Sequence, residues 1–307
     1  MKGLELSKRF YLEFGEALLK EEFADILPLV AVGLAGSGSE CFGFDDEIST
    51  DHDFEPGFII FIPDEDVLDR KRAFRLERAY AKLPKEFMGF KRSPLSPVGG
   101  NRHGVIAISD FFNDRTGTPD GRLSLEAWMN LPEQSLYEAT NGSIFYDGYG
   151  LLTSIREKLK YLPEDVRLKK LAGHLLLMGQ SGQYNYKRCL KRGDMGGASL
   201  SAYEFVKSAL HSVFLLNRRY LPYYKWQFRA LKELTLLPEI STPLEEIVTS
   251  PLGKEEVIEE VCEKIVNEVK KQTLSDLDIT ELEGHAYRVN NKIKEAEIRN
   301  LNILYGV

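Results

Sequence analysis

Between residues 6 and 23 the apolar side chains Phe10, Phe14, Ala17 and Leu18 recur at helical spacing, with lysine and glutamate between them, which predicts an amphipathic helix. The period then changes. Leu27-Pro28-Leu29-Val30-Ala31-Val32-Gly33-Leu34 has the composition of a short buried strand, and Gly36-Ser37-Gly38-Ser39-Glu40 follows as a tight turn into a short helix. A second strand is predicted over residues 57–62, stopped by Pro63, and a charged amphipathic helix over 64–83 with Asp64 as its cap. Residues 104–108 and 143–146 read as two more strands, so the first half mixes strands with helices. Beyond residue 150 the pattern is helical, over 151–161, 163–191, 200–220, 224–236, 254–272 and 278–304. The short connections at 193–197 and 221–223 suit an antiparallel bundle.

Length and composition turn this pattern into an expectation of two domains, 1–150 and 151–307, since 307 residues exceed the usual single domain and 43% hydrophobic residues fill ordinary cores. The formal net charge of -7 argues against a general basic surface and favours a small acceptor over RNA. Cys41, Cys189 and Cys262 have no paired spacing, and no apolar run approaches the ~20 residues of a membrane span. A soluble protein of the reducing cytoplasm is expected.

The chemistry centres on the Gly36 to Glu40 turn and on Asp51-His52-Asp53, which leads into the strand at Phe58. On an extended segment Asp51 and Asp53 fall on one face, where two hard carboxylates can share a divalent cation, and Mg²⁺ suits them. His52 falls on the other face. The glycines let backbone N–H groups approach a triphosphate, and the hydroxyls of Ser37 and Ser39 add donors. Metal ions between the aspartates and the phosphates would align an acceptor hydroxyl on the α-phosphate, with pyrophosphate leaving.

Strand, glycine-serine turn, Asp-x-Asp and second strand, in that order, resemble the signature of the polymerase-beta-like nucleotidyltransferases. The stretch Gln180-Ser181-Gly182-Gln183-Tyr184-Asn185, with Arg188 and Arg192-Gly193-Asp194, resembles a bacterial family known as domain of unknown function 4037, as does the stretch from Leu216 to Trp226. The resemblance implies an α+β fold: a minimal nucleotidyltransferase domain, with a mixed sheet and flanking helices, followed by an all-α helical bundle similar to that of the kanamycin and lincosamide nucleotidyltransferases. It also implies Mg²⁺ (or Mn²⁺) and ATP or another nucleoside triphosphate. The superfamily carries a third carboxylate on a later strand, and residues 104–108 contain none. Asp110 is the first candidate and Asp147 the second.

In the helical half, Gln180, Asn185 and Arg188 line one face as candidate nucleotide ligands. Arg188 and Lys225 are placed to grip phosphates while Tyr184 or Trp226 stacks on a base. These aromatics equally suit a core, and Arg192 with Asp194 a surface ion pair. His103, His174, His211 and His285 show no zinc spacing. The leading expectation is an enzyme transferring a nucleoside monophosphate to a hydroxyl-bearing small molecule. Its rivals are a degenerate nucleotide-binding protein and a tRNA-directed enzyme using Lys187, Arg188, Lys191 and Arg192.

Overall fold

A computed structural model describes residues 1–50, 54–93, 102–251 and 253–307. The chain divides into two compact units, Met1–Leu123 with Ser135–Lys160, and Ser124–Gln134 with Tyr161–Val307. The first unit therefore runs past the boundary expected at residue 150, and a short segment well before that boundary groups with the helical unit.

The strands of the first unit are β1 (Ala31–Leu34), β2 (Ile59–Ile62), β3 (Glu86–Phe87), β4 (Phe90–Lys91), β5 (Gly104–Ala107) and β6 (Ser143–Asp147). Four of them form a mixed sheet in the order β5-β2-β1-β6, and β3 with β4 forms a separate hairpin. β1 is antiparallel to β2 and β6, whereas β2 and β5 are parallel. Every residue of β1 and β2 is buried, which is why these central strands read as uninterrupted apolar runs.

A helix Gly3–Phe10 passes through a widened turn, Tyr11–Gly15, into a second helix, Glu16–Glu22. Gly15 is required here, because a Cβ would lie 2.4 Å from Phe58 Cζ. The close approach seats Phe10 and Tyr11 against Phe58, with centroids 5.9 and 5.4 Å apart. Tyr80 comes in from the helix Arg70–Ala81; its hydroxyl donates to Phe58 O (2.8 Å) and accepts from Phe58 N (3.1 Å), fixing the entry to β2.

Several expected elements are shorter than their apolar patterns: the helix of 224–236 covers only Gln227–Lys232, and the run 278–304 is two helices, Leu282–Asn291 and Ala296–Asn300. Leu27–Leu29 forms a 3-10 turn with Pro28 in its first positions, so the strand begins only at Ala31. The helix expected from Asp64 begins at Arg70, because Asp69 rather than Asp64 accepts the first free N–H, from Arg72 at 3.0 Å.

The second unit is helical. Its centre is the helix Glu164–Met178, continued through a widened stretch Gly179–Tyr186 into Lys187–Lys191, against the helix Met195–Leu216. Glu255–Lys271 and Leu282–Asn291 complete the core with Ile258, Ile265 and Leu282. Two lysines lie inside it. Lys169 donates to Asn290 Oδ1, Arg299 O and Leu301 O at 2.9, 3.2 and 2.7 Å, one acceptor for each ammonium proton. Lys170 donates to Met129 O and Gly306 O at 2.7 and 2.8 Å. No helix among the described residues is long and apolar enough to cross a membrane.

Candidate functional site

Beyond β1 the chain turns through Gly36 (φ 112°) and Gly38 (φ 118°) into a four-residue helix, Ser39–Phe42, closed by Gly43. These two φ values are open to glycine and strained for other residues. Asn141 holds the turn from behind: its Oδ1 accepts from Gly36 N and its Nδ2 donates to Gly36 O, both at 2.8 Å. Gly142 N adds a bond to Cys41 O at 2.9 Å. Among the described residues, the N–H groups of Ser37, Gly38 and Ser39 and both serine hydroxyls donate no hydrogen bond.

Two arginines flank these free donors. Arg102 donates to Ser37 O at 3.0 Å and to the buried Glu40 carboxylate, and its Nη2 fills the space in which a Gly38 Cβ would stand. Arg115 does the same at Gly36. It lies 3.9 Å from the Phe111 centroid and donates to Phe111 O at 2.9 Å, while its Nε is buried without a partner among the described residues. Burial pushes the Arg115 pKa down, and holds that of Arg156 at about 10. Arg156 supports the turn indirectly, donating to Thr140 O and Asn141 O at 2.8 Å each. Burial raises the Glu40 pKa, with Arg102 opposing.

At the same end of the sheet His103, just before β5, places Nδ1 3.3 Å from Glu55 Oε1. Burial pushes the Glu55 pKa up, but the hydrogen bonds from His103 and from Ser93 N outweigh it and hold the carboxyl below its ordinary range. Gly57 makes room for the imidazole, since a Cβ there would meet the ring at 2.6 Å.

Asp51, His52 and Asp53 lie outside the described residues. The two candidates for a third carboxylate are placed away from the glycine-serine turn. Leu34 at the end of β1 is level with Ser143 at the start of β6, and Gly33 with Ile59 at the start of β2, so the turn lies where β2, β5 and β6 begin. Asp147 pairs with Ala31, three residues and about 10 Å along the strand from Leu34. It is committed as a cap, accepting from Gly150 N, Thr153 N and Thr153 Oγ1 at 2.8, 2.9 and 2.6 Å. Asp110 follows the far end of β5, in the first turn of the helix Ile108–Thr116. That helix runs back along the sheet, so it is Arg115, about 7.5 Å further along its axis, that reaches the turn.

In the helical unit Gln180, Tyr184, Asn185 and Arg188 are all exposed on the widened stretch and the turn after it, with the Arg188 guanidinium 4.8 Å from the Tyr184 centroid. Their neighbours are bonded elsewhere, Gln183 to Glu259, Thr280 O and Leu282 N, and Lys187 to Glu259. Lys225 belongs to a separate cluster, 4.9 Å from the Trp226 ring with Arg229 5.9 Å from it. Asp194 caps the helix Met195–Leu216, accepting from Gly197 N at 2.8 Å, in place of a pair with Arg192.

The residues missed by sequence reasoning are Arg102, Arg115, Asn141 and the His103–Glu55 pair. The available signal was a basic residue immediately before a strand and another in the last turn of the helix after it.

Residues 128–227 match a family described as Domain of unknown function (DUF4037), over a segment that contains both the Gln180 to Asp194 and the Leu216 to Trp226 stretches. Among solved structures the chain is similar to a nucleotidyltransferase-like protein from Exiguobacterium sibiricum 255-15, at 11% identity, 92% of this chain and 80% of that chain covered, and a TM-score of 0.36. No curated protein matches the chain.

Proposed function

We propose that the protein is a nucleotidyltransferase that moves a nucleoside monophosphate from a nucleoside triphosphate, ATP first among them, to a hydroxyl of a small-molecule acceptor. One observation carries this reading: three consecutive N–H groups and two hydroxyls, free among the described residues, between the guanidiniums of Arg102 and Arg115. Such a turn matches the β- and γ-phosphates of a triphosphate. Arg115 adds a guanidinium that makes no ion pair among the described residues.

In the step itself the acceptor oxygen bonds to the α-phosphorus, the bond from that phosphorus to the bridging oxygen breaks, and pyrophosphate leaves with the negative charge while the hydroxyl proton passes to solvent. The Ser37 to Ser39 donors and Arg115 hold the leaving group in line, and Asn141 keeps the turn rigid while charge develops on it. Among the described residues no group of three or more His, Cys, Asp or Glu could hold a metal, and Glu40 and Glu55 are already bonded to Arg102 and His103. Asp51 and Asp53, two hard carboxylates one residue apart, would be the donors suited to Mg²⁺ or Mn²⁺, and the ion would supply charge neutralisation at the phosphates.

The position of Asp110 and Asp147 favours a second reading, nucleotide binding without transfer. Pyrophosphate release from each of the four ribonucleoside triphosphates, with Mg²⁺ or Mn²⁺ and a small-metabolite extract, separates the two. Release that is lost in Asp51→Asn and in Asp53→Asn supports the transferase. Tight binding with no release under any condition makes the protein a binder, and no binding at all removes the phosphate turn.

A further inference from the structure

Residues 70–92 carry nine basic and two acidic side chains in a chain whose net charge is -7. Their centre is the helix Arg70–Ala81. Lys71, Arg75, Arg78 and Lys82, spaced by four, three and four residues, form one stripe on this helix and its C-cap, about 16 Å long. All four are exposed, and none has a carboxylate partner among the described residues; Arg72, to one side, is the one bonded to Asp69 and Asp25.

Arg75 lies 5.7 Å from the Phe23 centroid and Arg78 5.9 Å from that of Phe74, whose ring is 56% exposed. Beside the stripe runs an open groove of about 510 Å³, with Phe23 and Leu83 as apolar floor, Arg75, Arg78 and Lys82 as walls, and Glu22 as an acid at its edge.

We propose that this face of the first unit binds single-stranded RNA. Unpaired cations in a row along a helix match a row of phosphates, guanidiniums bind phosphate through two parallel donors, and the exposed Phe74 ring offers a platform for an unstacked base. An anionic membrane fits less well. A membrane-surface helix inserts its apolar side, and on this helix that side, Leu76 and Tyr80, is already buried in the sheet core. Nothing in this inference depends on nucleotidyl transfer, because its test reads binding alone.

The test is fluorescence anisotropy of the full chain with a labelled 20-nucleotide single-stranded RNA of mixed sequence, over a range of salt concentrations. Four phosphate contacts predict an affinity that falls with salt at a logarithmic slope of about -3. Arg75→Gln with Arg78→Gln, both exposed positions, is expected to weaken binding about tenfold or more and to flatten that slope by about 1.4. Circular dichroism shows whether the double variant folds, and Lys71→Gln with Lys82→Gln provides a second, independent pair. No RNA binding overturns the proposal, as do undiminished affinity in both folded variant pairs and capture by phosphatidylserine vesicles without RNA binding.

Discussion

Asn141 meets both backbone groups of Gly36, so a single side chain decides whether the turn keeps its shape. Asn141→Leu, close in volume, leaves a buried N–H and a buried C=O unpaired and should cost about 2 kcal/mol or more of stability. Asn141→Asp keeps the acceptor for Gly36 N but buries a carboxylate and sets one of its oxygens against Gly36 O, so at neutral pH it too should be destabilised, by less as the pH falls and the carboxyl protonates. Urea midpoints check both, and an unchanged midpoint in either variant would show that the two bonds do not act as described. The carboxylates give a second contrast. Asp110 is exposed and makes no hydrogen bond or ion pair among the described residues, so Asp110→Asn should leave stability and pyrophosphate release unchanged. Asp147→Asn weakens a cap with three donors and should lower stability by about 1 kcal/mol, with release per folded molecule unchanged. A loss of turnover in Asp110→Asn would return that carboxylate to the chemistry. The glycine-serine turn was legible in the sequence because a positive φ is a local demand that glycine answers. The placement of Asp110 was not legible that way: residue order along a strand says nothing about which end of the sheet the strand finishes on. Arg102 and Arg115 were missed for the same reason, since they reach the turn only through the direction of β5 and the helix that folds back over it.

Elements whose period is local were readable and those set by packing were not. The helical run 163–191 was evident, yet its widening over Gly179–Tyr186 adds less than one residue per turn and leaves no mark in the apolar pattern. What holds it is the pair of glycines. A Cβ on Gly182 would stand 2.3 Å from Phe205 Cδ2, in a fully buried contact. Gly182→Ala should therefore cost about 1–3 kcal/mol through overpacking, and Phe205→Leu in the same chain should return part of it, a negative coupling in a double-mutant cycle. Strict additivity would mean that the stretch is held by something other than this contact. The consequence reaches the exposed face as well, because Gln180, Tyr184, Asn185 and Arg188 depend on the same widened turn for their common direction. The helix Arg70–Ala81 shows the converse. Its charges were plain in the sequence, but one basic stripe and one buried side separate only once Leu76 and Tyr80 are placed in the core.

Across the whole molecule the charges are unevenly shared: with residues 70–92 at net +7, the remaining chain carries -14. Its response to acid between pH 5 and 8 includes one buried imidazole. His174 and His211 stack with centroids 4.3 Å apart and planes within 6°. His211 Nδ1 lies 3.2 Å from Glu133 Oε1, while His174 Nδ1 is buried without a partner among the described residues. Burial drives the His174 pKa well below 6.5, and His211, Lys170 and Lys207 push it the same way, leaving Glu133 as the acid facing the pair through His211. The folded His174 thus stays neutral where the unfolded one takes a proton. Below about pH 6.5 the unfolded state binds more protons, so stability is complete above that pH and falls as pH drops, by up to about 1.4 kcal/mol per unit. Glu164 acts lower down. The hydrogen bonds from Arg167 and Arg218 hold its pKa at about 2 against burial, so its contribution is present above about pH 4.5 and is lost as pH falls towards 2. Thermal unfolding between pH 5 and 8, compared with that of His174→Leu, isolates the histidine, because Glu164 hardly changes across that window and Glu40, whose raised pKa acts in the opposite sense, is common to both proteins. The midpoint of the native chain should fall below pH 6.5, and that of His174→Leu should fall less steeply. Parallel pH profiles for the two proteins would show that His174 is protonated without penalty in the folded state, and that its missing partner is supplied by water.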